Sequence, residues 1–154
     1  MARKYDEAID QMKKTIEMDP SFPLQYYWLG RSYLEKGMLE QAVEMFEKAT
    51  TFPMIHTMAT GALGYAYAIS GEIDKAQKSL DQLNTLSKEK YVDPYYISLI
   101  YLGLGEKDRV FEFSEKAYEG RSMYILGLKV DPFYDDLGSD PRFVELLMKM
   151  RLDK

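Results

Sequence analysis

Apolar residues recur along the chain at the spacing of one helix face, and this pattern predicts an all-helical protein. Tyr26, Leu29 and Tyr33 stand three and then four residues apart. Because an α-helix turns once in about 3.6 residues, positions spaced in this way share one face. The same helical spacing continues in later segments, with Ala42, Phe46 and Ala49, with Ala76, Leu80 and Leu83, and with Phe143, Leu146, Leu147 and Met150.

Asp-Pro pairs interrupt the helical pattern. Asp19-Pro20 and Asp93-Pro94 predict breaks, because a proline disfavours the helical conformation in the residue before it. Asp140-Pro141 has the form of an N-cap followed by a first-turn proline, which predicts the start of the last helix.

Several residue types repeat with a period of 34 residues. Tyr33, Tyr67 and Tyr101 share this interval, and three residue classes on one period indicate an internal structural repeat. The other members of the series are Gly37, Gly71 and Gly105, together with Ala8, Ala42 and Ala76.

The periodic glycines predict tight corners between paired helices. Gly37, Gly71 and Gly105 each follow one helical pattern and precede the next. Glycine takes the left-handed conformation that commonly ends a helix without a side-chain clash. We therefore expect these three residues to be C-caps inside helix-turn-helix pairs. The small periodic residues, among them Gly30 and Gly64, predict close approach of the packed helices.

These residues resemble the tetratricopeptide repeat. Its pattern W-x2-L-G-x2-Y, followed by A-x3-F, A and P, is matched best by Tyr26, Leu29, Gly30, Tyr33, Ala42, Phe46 and Ala49. The match departs from the family pattern at Tyr26, where the family favours Trp, and Trp28 is displaced by two positions. The resemblance covers about residues 4–120.

The resemblance implies an all-α fold, a right-handed α-solenoid of antiparallel helix pairs. It implies one domain over residues 1–154, with about 3.5 repeats and C-terminal capping helices. The expected divisions are a partial repeat at 1–20, repeats at 22–54, 56–90 and 91–121, and capping helices at 122–154.

The C-terminal tail carries a second resemblance. Val130-Asp131-Pro132 and the segment from Leu137 to Phe143 look like the ending of many bacterial multidomain tetratricopeptide proteins. In those proteins a similar array follows a winged-helix, nucleotide cyclase or protein kinase domain. The likeness implies a regulatory or sensing part of a larger signalling or transcriptional regulator.

The first predicted helix, residues 4–18, has no partner helix before it in the sequence. A repeat cannot bury its apolar face alone, so we expect either a longer array that continues upstream or a contact with another copy. The residues expected to form this oligomer contact are Tyr5, Ile9, Met12 and Ile16.

The last helix is amphipathic and has two interpretations. Arg142, Glu145, Lys149 and Arg151 are available for a polar outer face, which favours a capping helix at the end of the array. The alternative is a latch that folds into the groove and competes with ligands.

The first helix of each pair is expected to line a concave groove. The expected partner-binding residues are Tyr27, Arg31, Glu35, Met58, Tyr65, Ile69, Tyr95 and Leu99. This lining is aromatic and aliphatic, as in the centre of a protein interface. Arg31 is the one cation on these faces, so they lack the converging donors of a carboxylate clamp. An amphipathic helix or an extended apolar segment fits better. Alternatively, the tyrosines only pack against neighbouring helices.

Charge and composition limit the classes of partner that the chain is expected to bind. The formal net charge of −5 gives no basic face for nucleic acid or for anionic membranes. No apolar run approaches the roughly 20 residues that a membrane helix needs. The chain has no cysteine and its first ten residues carry no apolar signal core, which favours a cytoplasmic protein.

Candidate catalytic chemistry is weak throughout the sequence. His56 is the one histidine and stands outside any zinc or triad motif. Gly103-x-Gly105 lacks the third glycine and the strand of a dinucleotide site, and Asp135-Asp136 does not have calcium-loop spacing. We therefore expect no enzyme activity, no cofactor and no metal site. The favoured function is a protein–protein interaction scaffold with a peptide- or helix-binding groove. The alternative is a homo-oligomerisation module that assembles through its first helix.

Overall fold

The computed structural model of the protein describes residues 4–152, and eight α-helices with no strand follow one another along them. The all-helical prediction is confirmed. Residues 1–3 and 153–154, the ends of the predicted partial repeat and of the capping region, lie outside the described residues. The helices are α1 (Tyr5–Met18), α2 (Pro23–Glu35), α3 (Leu39–Thr50), α4 (His56–Ile69), α5 (Ile73–Leu86), α6 (Pro94–Leu104), α7 (Lys107–Glu119) and α8 (Pro141–Lys149).

The three periodic glycines form the corners of the helix pairs. Gly37, Gly71 and Gly105 have φ angles of 73°, 83° and 75°, in the left-handed region. At the first corner the amide of Met38 donates to the carbonyl of Tyr33 over 2.9 Å, which satisfies a carbonyl at the end of α2. The predicted C-caps are confirmed, and they make the pairs α2–α3, α4–α5 and α6–α7 antiparallel.

Asp140-Pro141 starts a helix as predicted, and Asp93-Pro94, which was predicted as a break, also starts one. The Asp93 carboxylate accepts the amide of Tyr95 over 3.0 Å at the start of α6. Asp140 accepts the amide of Arg142 over 2.9 Å at the start of α8. These bonds satisfy donors that the first turn of a helix leaves without a partner.

Small residues set the distance between the helices. A Cβ atom at Gly30 would lie 2.7 Å from the ring of Phe46, and one at Gly64 would lie 2.7 Å from the side chain of Ile100. A larger residue at either position would therefore have to displace the side chain of Phe46 or Ile100, and glycine lets these side chains pack directly on the backbone of α2 or α4. The expectation of close helix packing at Gly30 and Gly64 is confirmed.

The helices stack in chain order. α2 contacts α3, its own second helix, and α4 of the next pair. In the same way α4 contacts α5 and α6, and it also packs on α3 of the preceding pair. The core runs continuously through these contacts, and α1 packs against α2 at one end. This arrangement is that of a helical repeat solenoid.

The region after α7 differs from the expected series of capping helices. Two 3₁₀ helices, Tyr124–Gly127 and Pro132–Leu137, precede the single α-helix α8 in the described part of this region. α8 packs against α7, with the Tyr118 hydroxyl donating to the Lys149 carbonyl over 3.2 Å. Its predicted apolar stripe is buried.

Candidate partner-binding surface

The eight predicted partner-binding residues fall into two groups in the structure. Four of them have side chains packed in the core: Tyr27, Met58, Tyr95 and Leu99. Arg31, Glu35 and Tyr65 are half-buried, and Ile69 is exposed at the end of α4. Their role in partner binding stays a prediction, but only the second group is accessible to a partner in this conformation.

Residues 122–137, which we call the groove segment, contact Tyr95 of the first group, through its hydroxyl at Asp131 and through its ring at Tyr124 and Tyr134. The segment lies against the first helices of the pairs, with five of its apolar side chains in the core. These side chains are Ile125, Leu128, Phe133, Tyr134 and Leu137. The concave face that the sequence predicted as a binding groove is therefore lined by the chain itself over much of its surface.

Asp131 is the polar anchor of the groove segment. Its carboxylate forms an ion pair with Arg31 of α2 over 2.5 Å and accepts the hydroxyl of Tyr95 of α6 over 2.6 Å. It also accepts the amide of Phe133 over 3.1 Å, which caps the second 3₁₀ helix. One side chain thus joins two helices, and the side chains of Arg31 and Asp131 are only 14% and 10% exposed.

Aromatic contacts hold the next part of the segment. The Phe133 ring stacks on Tyr65 of α4 with centroids 4.5 Å apart, and the Arg31 guanidinium lies 4.1 Å from the same ring. The adjacent Tyr134 shares a 2.8 Å hydrogen bond with Ser98 of α6. Burial raises the pKa of Tyr65 to about 12, with the nearby carboxylate of Asp136 as the next cause. The groove segment therefore contacts α2, α4 and α6.

The side chains of the groove segment are part of the hydrophobic core. Burying one large apolar side chain contributes roughly 1.5–3 kcal/mol, so five of them contribute on the order of 10 kcal/mol before the conformational entropy of ordering the segment is subtracted. A ligand that entered the groove would have to replace these contacts. The latch considered for the last helix differs from what is observed, since α8 packs on α7 and residues 122–137 line the groove.

One end of the concave face stays open. A cleft of about 510 Å³ lies between α1, α2 and the groove segment. Trp28 and Arg31 of α2, Ala8 and Met12 of α1, and Val130 of the groove segment are among its lining residues. Trp28 is the single tryptophan of the chain, and it was not among the predicted binding residues. Its displacement from the family's aromatic position was the sequence feature that marked it.

The predicted oligomer contacts lie on α1 beside this cleft. Ile9 is buried, whereas Tyr5, Met12 and Ile16 are half-buried. The Tyr5 hydroxyl donates to the Glu35 carboxylate over 3.2 Å and so ties α1 to α2. The charged residues of α1, such as Asp10 and Lys14, face solvent. Whether the apolar residues contact another copy stays a prediction.

Features that would support catalysis are weak in the described residues. Within residues 4–152 no group of three or more His, Asp or Glu side chains could hold one metal ion. The Nδ1 atom of His56 lies 2.7 Å from the Thr50 carbonyl, a local contact at the start of α4. No helix in the same part of the chain is long and apolar enough to span a membrane.

Comparison with known proteins identifies the repeat. Residues 26–52 match the tetratricopeptide repeat family. The matched segment contains Trp28 and runs through α2 and α3, the first complete helix pair.

Two curated proteins are similar to the chain over longer stretches. "BBSome complex member BBS4" of Bos taurus is 30% identical over 89 residues, which cover 58% of this chain and 17% of that protein. "Anaphase-promoting complex subunit 3" of Schizosaccharomyces pombe is 22% identical over 117 residues, which cover 76% of this chain and 18% of that protein. The chain thus spans less than a fifth of each of these relatives.

The comparisons support a protein–protein interaction scaffold. Both relatives are named as parts of a complex, and the matched residues resemble a family of protein-interaction repeats. The same findings support a binding role over a catalytic one.

Proposed function

We propose that the chain is a protein–protein interaction scaffold that binds its partner in the open cleft around Trp28. The half-exposed indole is the observation that carries this proposal, since it stands at the edge of an open cleft beside the exposed Val130. Aromatic side chains of this kind are the commonest anchors of protein interfaces. The predicted binding residues Arg31 and Glu35 line the same cleft.

The composition of the cleft suits a protein surface. Apolar groups from Trp28, Met12 and Val130 form its centre, and the charged groups of Arg31 and Asp131 stand beside them. Protein interfaces combine an apolar centre with a polar rim in this way. Because Arg31 is paired with Asp131, the cleft offers little net positive charge to a phosphate or carboxylate ligand.

Site-specific photo-crosslinking tests this proposal. Trp28 is replaced by the photoreactive residue benzoylphenylalanine, and the matched control carries the same residue at Tyr91, an exposed aromatic position outside the cleft. We expect a discrete protein adduct from position 28 in extracts of the source cells, and we expect Val130→Asp to reduce it severalfold. Equal adducts from both positions, or an adduct that ignores Val130→Asp, would contradict the proposal.

A homo-oligomer is the second candidate function. The observation in its favour is that Tyr5, Ala8 and Met12 of α1 line the same cleft, so a second copy could cover them. Sedimentation over a wide range of protein concentration tests it, and a monomer at all concentrations would exclude it. The regulatory role expected from the C-terminal resemblance stays a hypothesis that a partner identified by crosslinking would test.

A further inference from the structure

The 34-residue period allows the cleft to be compared with equivalent positions inside the same protein. Trp28 corresponds to Ala62 and Tyr96, which stand one and two periods later. Ala62 and Tyr96 are 0% and 5% exposed, whereas Trp28 is 49% exposed. The equivalent position is therefore part of the core in the two later repeats, whereas in α2 no helix of the described residues covers it.

A second position on α2 gives the same result. Leu24 corresponds to Met58 and Val92. Both later residues are 7% exposed, whereas Leu24 is 36% exposed. The two exposed apolar residues of α2 are one helical turn apart, so they lie on one face.

The side of α1 that borders the cleft shows the same difference in exposure. Ala8 corresponds to the fully buried Ala42 and Ala76. In the structure Ala8 is half-buried, and so is Met12, which corresponds to the fully buried Phe46. Both helices that border the cleft thus expose positions that are buried elsewhere in the array.

The structure also shows what covers the equivalent positions. α2 lies on both α3 and α4, and its Gly30 faces the ring of Phe46. α4 lies on both α5 and α6, and the backbone of its Gly61 faces Tyr96. In each case a helix lies in the furrow between the two helices that follow it in the chain, and no helix within residues 4–152 lies in the corresponding furrow between α1 and α2.

The two helices that lie in such furrows share a contact pattern. α2 carries Leu29-Gly30 and then Tyr33, and α4 carries Leu63-Gly64 and then Tyr67. The glycine permits close approach, and the leucine and the tyrosine pack on either side of it. A partner helix that packs in this furrow in the same way would therefore carry the pattern Leu-Gly-x-x-Tyr.

We propose that the furrow between α1 and α2 receives an amphipathic α-helix of a second polypeptide that carries a Leu-Gly-x-x-Tyr face. This inference rests on the proposed function and specifies the partner of the same cleft. The bound helix covers Trp28 and Leu24 on one side and Ala8 and Met12 on the other. It extends the array by one helix, so the interface continues the packing that already joins α2 to α3 and α4.

Trp28 provides a built-in reporter for the test. A peptide of residues 56–71, the sequence of α4 with terminal lysines added for solubility, carries the required pattern and contains no tryptophan. Selective excitation of tryptophan therefore reports on Trp28 alone. Titration of the peptide into the full chain is expected to give a saturable blue shift of the emission, because the indole passes from partial exposure to burial.

Matched variants locate the binding to the furrow. Ala8→Phe places a ring in the furrow and is expected to weaken binding by about tenfold or more. Asp10→Phe adds the same ring to the solvent face of α1 and is expected to leave the affinity within about twofold. A control peptide with Leu63 and Tyr67 replaced by serine is expected not to bind. Unchanged melting temperatures for both protein variants would show that the fold is intact.

The outcomes separate this inference from the proposed function. No blue shift with the peptide, together with a persistent crosslink from position 28, would overturn the helix assignment and leave the scaffold role standing. A blue shift that grows with protein concentration alone, with a dimer in sedimentation, would identify a second copy as the occupant and also overturn the inference. A saturable shift that Ala8→Phe abolishes and Asp10→Phe preserves would support it.

Discussion

The substitution Asp131→Ala tests how firmly the groove segment is fixed. It removes the carboxylate that pairs with Arg31, accepts the Tyr95 hydroxyl and caps the 3₁₀ helix at Phe133. The Arg31 side chain, 14% exposed, would keep its charge without its partner. The loss of an ion-pair partner therefore carries most of the expected cost.

The magnitude follows from these contacts. Removing one partner of a buried ion pair costs about 3–5 kcal/mol, and the lost cap adds about 1 kcal/mol. Arg31 reaches some solvent, so we expect the lower end, about 3 kcal/mol. For a domain of this size each 1 kcal/mol lowers the melting temperature by roughly 2–4 °C, which gives a decrease of about 6–12 °C.

Asp140→Ala is the matched control in thermal unfolding followed by circular dichroism. Asp140 stands in the same Asp-Pro context and caps α8, but its partner Arg142 is 45% exposed. An exposed pair contributes little, so we expect a loss near 1 kcal/mol. Adding Arg31→Met to Asp131→Ala should restore part of the stability, because the unpaired charge is removed. Equal melting temperatures for Asp131→Ala and Asp140→Ala would refute the anchoring role of Asp131.

Four further predictions concern stability. Gly71→Val should cost about 1 kcal/mol or more in chemical denaturation, since the site has open space and only its φ of 83° opposes a side chain. Gly64→Ala should cost about 1–3 kcal/mol, because its Cβ would lie 2.7 Å from Ile100. Arg121→Gly should increase the free energy of unfolding by up to about 1 kcal/mol, and so raise the melting temperature, because Arg121 has a φ of 57° in the left-handed region. Folding stability should fall as pH rises from about 10 through 12, since the raised pKa of Tyr65 keeps its proton longer in the folded state, and Tyr65→Phe should flatten that fall. An unchanged stability in any of these measurements would contradict the corresponding assignment.

The helices and their corners could be predicted from the sequence because local rules determine them. The left-handed conformation at Gly37, Gly71 and Gly105 follows from the chemistry of glycine at the end of a helical pattern. The buried faces followed from periodicity, as the full burial of Ala42 and Phe46 shows.

The filled groove could not be predicted in the same way. The groove segment has no helical period, and its position depends on a pairing between Asp131 and Arg31 that are 100 residues apart. Nothing in the local sequence predicts such a contact. Solenoid geometry predicts an open surface at Tyr95, and the structure covers this residue with a segment whose place the repeat pattern does not determine.

The open cleft could be predicted from the sequence only in part. The sequence predicted that residues 4–18 form the second helix of a partial repeat, and in the structure Ala8 and Met12 line the open cleft. Trp28 was noted as a departure from the family pattern but not as a site. A comparison of each position with its counterparts one period later would have identified it, once burial was known.

Amide hydrogen exchange of the full chain, with and without the α4 peptide, tests most directly whether partners bind at the open end of the array. We predict that amides in α1 and α2 exchange more slowly when the peptide is bound, while those of residues 122–137 keep their protection. Faster exchange in residues 122–137 would show that the peptide displaces the groove segment, and it would contradict the account.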